Sequence, residues 1–397
     1  MQSISGELTP APQHTEDRLA WMALMLTPGI GQSRAMKAVS RLRSPRDLFA
    51  SNLTQLEGLG MPGPSAAFIA EGRARSLAEE EIIRLHAAGG DFLTHDDPAY
   101  PDRLREIYDP PAVLWYRGDI GLISQHGIAV VGTRQPSPYG SGMAQLISRD
   151  LANRGMAIFS GMARGVDTAA HKGAIEVNGK TVAVWGTGID VIYPKENKRL
   201  AEEILTSGGC ILSEYRLGTF PAPQNFPIRN RILSGMSVGV LVVEAAEHSG
   251  TRITARCALE QNRDVYAVPG NVTNKNAWGP NTLIKQGAKL TATWEDIWED
   301  LPSQVRIELE DKLAGGVASQ GGGAASLFPA AGNGPALAPS EQAVYDQLRL
   351  DESLQLDQLI ENLEGILASA EIFNALFELE LAGRVKQMPG KNYLRTF

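Results

Sequence analysis

Three short stretches carry residue types suited to holding phosphate. In GIAVVGTRQPSPYG (127–140) an apolar run ends in Gly132, Thr133 and Arg134. Glycine lets backbone N–H groups approach an anion, threonine adds a hydroxyl donor, and the planar guanidinium matches phosphate oxygens. FSGMARGVDTAAHKGAI (159–175) places Ser160, Gly161, Arg164 and Gly165 ahead of a helix expected to begin near Asp167. In NFPIRNRILSG (225–235), Phe226 stands beside Arg229, Asn230 and Arg231. Backbone neutralisation combined with base stacking is how single strands are held without sequence choice. A plain core role for Phe226 stays open beside it. WGTGIDVIYPKENKRL (185–200) adds Gly186 and Gly188, then Lys195, Lys198 and Arg199.

The phosphate could belong to a nucleotide cofactor or to a nucleic-acid backbone. The dinucleotide fingerprint fails at GTRQPS, which lacks its second and third glycines, so no cofactor is expected. Asp167 and His171 lie four apart and could form an acid–base pair; we read them instead as a helix cap and a helix-surface pair. VVEAAEHSGTRITA puts Glu244 at a strand end and Ser249, Gly250 and Thr251 at a helix start, a further anion site. Cys210 and Cys257 are the only cysteines and are far apart, against a disulfide framework or a zinc site and in keeping with the cytoplasm.

The elements that must position these residues alternate. Apolar runs at 127–131, 156–159, 181–185, 210–213, 238–243 and 264–268 are separated by helical patterns. This predicts an α/β fold with a Rossmann-like, doubly wound, mostly parallel sheet. Ligands of such sheets bind beyond the carboxyl ends of the strands, here GTR, SGMARG, GTG, SEY and EAAEHSG. Residues 1–90 read as a helical domain, SAM-like or helix-hairpin-helix-like. Its turns LTPGIG and LEGLG either present N–H groups to phosphate or are tight turns with no ligand. The core is expected over 91–305 and a winged-helix-like domain over 339–397. Between them 306–338 is expected to be a flexible linker. The charge-free, Gly/Ala/Pro-rich stretch 313–340 would span about 30 Å as a coil.

With 43% hydrophobic and 21% charged residues the composition is that of an ordinary globular protein. No apolar run is long enough to insert into a membrane, and the first residues lack a leader's basic-then-apolar order. The net charge of -8 conceals a division: residues 1–120 carry -4, residues 121–290 carry +6 and residues 291–397 carry -10. A polyanion meets the local field, so an acidic chain with a basic middle is compatible with nucleic acid.

Taken in order, YPDRLREIYDPPAVLWYRG, VVGTRQPSPYG, SGMARGVDTAAH, YPKEN, SEY, FPIRNRILSGMS, SGTRITA and VPGN…GPNTLIKQGA resemble the DNA processing protein A family (DprA, also called Smf) over roughly residues 95–290. The resemblance implies a homodimeric, non-enzymatic protein. It would bind incoming single-stranded DNA during natural transformation and load the RecA recombinase past single-strand-binding protein. It also implies DNA contacts at Gly132, Thr133, Arg134, Ser160, Gly161, Arg164, Gly165, Lys195, Phe226, Arg229, Asn230 and Arg231.

The C-terminal segment resembles the winged-helix module of the same family, with helices near 340–349, 355–363 and 368–382 and a hairpin turning at Pro389 and Gly390. Its third helix carries Glu371, Glu378 and Glu380, which repel a phosphate backbone, so a protein contact is expected of it rather than DNA reading. Lys386, Lys391 and Arg395 on the wing leave a DNA contact open there. The rival reading is a nucleotide phosphoribohydrolase resembling the LOG family, whose PGGxGTxxE motif is replaced here by EHSGTRITA, with Ala255 near the position sought for its glutamate.

Overall fold

The computed structural model describes residues 12–247, 249–318, 337–349, 353–382, 384–388 and 390–395. Six helices come first: α1 (Pro12–Leu26), α2 (Gln32–Val39), α3 (Asp47–Ala50), α4 (Leu53–Gly58), α5 (Gly63–Ala70) and α6 (Arg73–Ala87). Their apolar faces do not close on themselves. Leu19 to Leu24 of α1 share one continuous core with Trp115, Ala183 and Trp185 of the following sheet.

That sheet is built from β1 (Asp91–Thr94), α7 (Asp102–Arg105), β2 (Val113–Gly118), β3 (Gly127–Val131), α8 (Pro138–Asn153), β4 (Ala157–Ser160), α9 (Val166–Glu176), β5 (Thr181–Trp185), α10 (Lys198–Thr206), β6 (Cys210–Ser213), α11 (Asn225–Met236), β7 (Gly239–Val242), α12 (Thr251–Glu260), β8 (Asp264–Ala267), α13 (Trp278–Lys285) and β9 (Lys289–Leu290). The strand order is β1-β2-β6-β5-β4-β3-β7-β8-β9. From β3 to β9 every pairing is parallel, whereas β1–β2 and β2–β6 are antiparallel. The chain runs outward from β3 to β6, then returns to place β7 on the other side of β3. This reversal opens a crevice at the carboxyl end of β3.

Strand β3, GIAVV, is buried throughout, as a parallel strand covered on both faces must be. Ile128 and Val130 pack with α8 and α9, while Ala129 and Val131 face α11 and α12. Both sheet edges are blunted. At one, the Arg18 guanidinium of α1 lies 4.3 Å from the Phe92 ring centre and donates to the Phe92 carbonyl of β1. At the other, β9 has two residues, and Lys289 is paired with Asp264 and Asp300 at 3.2 and 3.0 Å.

After α14 (Glu295–Trp298), α15 (Ser303–Ala318) runs into the stretch expected to be linker. Val305 and Leu309, four apart on one face, are buried against the sheet core, and His126 Nε2 lies 2.7 Å from Glu308. That spacing outweighs the small-residue composition that follows it. Of the rest of the expected linker, residues 319–336 lie outside the described residues. The last unit has its own core: α16 (Pro339–Gln347), β10 (Leu354–Gln355), α17 (Leu356–Asn362), α18 (Ser369–Leu381), β11 (Val385–Met388) and β12 (Asn392–Arg395), with sheet order β10-β12-β11. Among the described residues no helix is long and apolar enough to cross a membrane.

Asp167 and His171 are not a surface pair. Both are buried, because α9 lies flat on the sheet. Thr181 Oγ1 donates to the Ile158 carbonyl at 2.6 Å, so at its 2.7 Å contact with His171 it accepts from Nδ1–H, which fixes the neutral tautomer. Burial, reinforced by the Arg229 charge, pushes His171 from its ordinary 6.5 down to about 3.

Two predictions follow from this packing. A chain ending after Ala318 is expected to keep its melting temperature within a few degrees, whereas Leu309→Ala in the full chain should cost about 2–5 kcal/mol; calorimetry and urea unfolding read both. For His171 the folded state refuses a proton that the unfolded chain accepts, so stability declines as pH falls from about 6.5 toward about 3. Between pH 7 and pH 5 this group accounts for about 2 kcal/mol of that decline. His171→Gln is expected to remove that part of the pH dependence in urea unfolding at the two pH values.

Candidate nucleic-acid interface

The crevice at the carboxyl end of β3 is a cavity of about 970 Å³. One wall is the GTR loop. Gly132 is glycine because a Cβ there would lie 2.5 Å from Val166 and 2.9 Å from the Glu244 carbonyl oxygen. Thr133 N–H donates to that carbonyl at 2.7 Å. Glu244 itself is buried, and its carboxylate accepts from Ser137 N–H at 2.8 Å and Ser137 Oγ at 2.6 Å. It staples the loop to the end of β7 and has no free face for a ligand. Arg134 is left exposed, with no carboxylate within salt-bridge distance among the described residues. Its guanidinium carbon lies 5.6 Å from the Phe226 ring centre.

The floor is the SGMARG loop. Asp167 accepts from the N–H groups of Gly161 and Ala163 at 3.1 and 3.2 Å, while Asn197 Nδ2 donates to the Met162 carbonyl at 2.9 Å. These contacts hold Met162 in the left-handed region at φ 59, a conformation that persists only where its surroundings impose it. A Cβ on Gly161 would collide with Arg229 and Asp167 at 2.5 to 2.7 Å, so this glycine makes room for protein side chains. Ser160 is buried and donates to the Val130 carbonyl at 2.7 Å, so it ties two strands rather than facing the cleft. Gly165, at φ 77, fits against the Thr133 carbonyl. Arg164 is exposed but paired with Glu196, and Lys195 is exposed; both stand outside the cavity lining.

Helix α11 divides its residues between two faces. Phe226 is half-buried, with its edge 3.0 Å from where a Gly186 Cβ would stand and its centroid 5.4 Å from that of Tyr193. Arg229 is only 4% exposed and donates to the Val184 carbonyl. Burial lowers Arg229 to about 10 and raises Asp167, each partly opposed by the other's charge. The result is a cation locked beneath the cleft floor. Arg231, two residues on and therefore about 200° around the helix, points away. It binds Asp109 at 2.9 Å and Glu214 at 2.7 Å and lines a different cavity. Of the twelve residues singled out in the sequence, the cavity is lined by Gly132, Thr133, Arg134, Phe226, Arg229 and Asn230.

A further wall comprises Ser249, Gly250 and Thr251 at the start of α12, the anion site expected from the sequence, together with Lys275 and Trp278 at the start of α13, which went unread. Lys275 and Trp278 repeat the cation-and-aromatic interleaving of NFPIRNR, a signal hidden by the polar run around them. Glu247 is an exposed carboxylate within the same cleft. In the N-terminal helices, the turns at Gly31 and Gly60 flank one shallow cavity with Arg34, Lys37 and Arg41.

The chain matches the family model DNA recombination-mediator protein A over residues 91–302 and the DprA winged helix domain over 328–391. It is 38% identical to the Smf protein of Escherichia coli over 327 residues, covering 81% of each chain. It is 45% identical to the DNA processing protein DprA of Bacillus subtilis over 206 residues, covering 52% of this chain and 69% of the relative. The X-ray structure of DNA processing protein A from Streptococcus pneumoniae aligns with a TM-score of 0.63 and 31% identity, covering 72% of this chain and 98% of that one. The nine-stranded sheet with its switch-point cleft, the winged-helix unit and these matches agree: the chain belongs to the DNA processing protein A (DprA/Smf) family.

Proposed function

We propose that this protein binds single-stranded DNA in the cleft at the carboxyl end of β3 and loads the RecA recombinase onto it during natural transformation. Arg134 carries the reading. It is an exposed guanidinium with no carboxylate partner within reach among the described residues, held over the rim of a half-exposed aromatic ring. Phosphate neutralisation and base stacking then act on neighbouring units of one strand. Gly132, Thr133, Asn230 and the Arg229 charge beneath complete the inner contacts. Arg164 and Lys195 are outer ones, since an exposed pair such as Arg164–Glu196 is readily exchanged for phosphate. Ser160, Gly161, Gly165 and Arg231 shape the cleft from behind. Action as a cytoplasmic homodimer and displacement of single-strand-binding protein belong to the same reading.

The role is that of a binding protein rather than an enzyme. The buried Glu244 carboxylate is engaged by Ser137 and approached by Asn274 and Asn276 at 3.4 and 3.5 Å, which leaves it poorly placed as the base of a phosphoribohydrolase. Release of free base from nucleoside monophosphates tests that alternative directly. In the winged-helix unit, the exposed face of α18 combines Phe373 and Phe377 with Glu371, Glu378 and Glu380, which suits a protein partner better than DNA.

Gel shifts with single- and double-stranded oligonucleotides at two salt concentrations test the main reading. Arg134→Ala is expected to weaken single-strand binding and to reduce the salt slope by about 0.7, the value for one phosphate contact. An unchanged slope and affinity would remove Arg134 from the interface. Phe226→Ala is expected to weaken binding by about 1–3 kcal/mol with the slope nearly unchanged. A collapse of thermal stability in that variant would show instead that the ring serves the core.

A further inference from the structure

The second wall of the cleft repeats the chemistry of the first. Arg134 lies 5.6 Å from the Phe226 ring centre, and Arg252 lies 5.4 Å from the ring centre of Trp278. Trp278 is 38% exposed, whereas the other five tryptophans are buried or half-buried. An indole left open at the mouth of a cavity offers a flat apolar face to a ligand, and the Arg252 guanidinium over its ring, outside the cavity lining, places a cation nearby.

Its position is held by the backbone. Gly279 N–H donates to the Ala245 carbonyl at 2.8 Å, and a Cβ on Gly279 would fall 2.5 Å from that same oxygen. The start of α13 is thus pressed onto the end of β7, and the indole is presented without a loop having to order first. A cavity of about 970 Å³ stands at the upper end of the roughly 300–1,000 Å³ typical of sites for a single small ligand. Two aromatic walls therefore have room for more than one nucleotide.

We propose that Trp278, with Arg252 beside its ring, is a second base-stacking site, so that the cleft takes adjacent nucleotides of one strand with a base on each wall. This rests on the reading of the cleft as a single-strand site. Lys275 supplies a phosphate partner on the same wall, and Glu247 opposes it. Stacking carries no net charge, so the contribution of Trp278 is insensitive to salt.

Titrating the full chain with a short oligothymidylate while following tryptophan emission tests this, because a base stacked on the one exposed indole quenches it. Trp278→Phe is expected to keep affinity within about twofold, since phenylalanine still stacks, but to lose most of the quenching. Trp278→Ala is expected to weaken binding by roughly 5- to 150-fold with the salt slope unchanged. Undiminished quenching in Trp278→Phe, or unaltered affinity in Trp278→Ala, overturns the second site while leaving the cleft as a single-strand site. Absence of binding by the unsubstituted chain overturns both.

Discussion

The walls of the cleft hang on one buried carboxylate and the peptide beside it. Glu244 lies just past the end of β7, 2% exposed, and removing a carboxylate from water is tolerable only when donors replace the lost hydration. The replacements come from the GTR loop, through Ser137. The backbone does the rest: the Glu244 carbonyl accepts from Thr133, Ala245 N–H donates to the Asn276 carbonyl, and the Ala245 carbonyl accepts from Gly279. Arg134 on one wall and Trp278 on the other are therefore located by the same two residues.

Under this clamp the fold keeps a second buried charge, Arg229, against Asp167. Pairing of this kind rarely adds net stability, because desolvation offsets most of the attraction. Its effect is geometric and electrostatic. Asp167 folds the SGMARG loop around its own oxygen, and Arg229 fills the space that Gly161 vacates. The cleft floor thus holds Arg229 beside the Asp167 carboxylate, two opposite charges fixed by burial rather than by mobile side chains.

Much of this was legible in the residues. Strands covered on both faces read as unbroken apolar runs, so GIAVV and TVAVW were recognisable, and the rule that ligands gather at carboxyl ends located the cleft before any contact was known. Helix and strand periods do not report partners distant in sequence. Arg231 could be seen to be cationic, but Asp109 and Glu214, which consume that charge, lie 122 and 17 residues away. The same limit hid the burial of His171, which depends on Thr181 at the start of another strand. The antiparallel β1–β2 pair escaped notice because DFLT is short and half polar, and Trp278 because no apolar run surrounds it. The glycines have a packing reason that the sequence did not show: Gly132 and Gly161 make room for Val166 and Arg229.

The blunted sheet margins bear on how copies of this chain can meet. A two-residue β9 offers almost no ladder for a neighbouring strand, and on β1 the Arg18 side chain already occupies a carbonyl that an incoming strand would need. Continuation of the nine-stranded sheet across a two-fold axis is therefore disfavoured at both margins. A contact between copies made instead through side chains on helical or loop surfaces can be retuned by single substitutions without disturbing the sheet that holds the cleft.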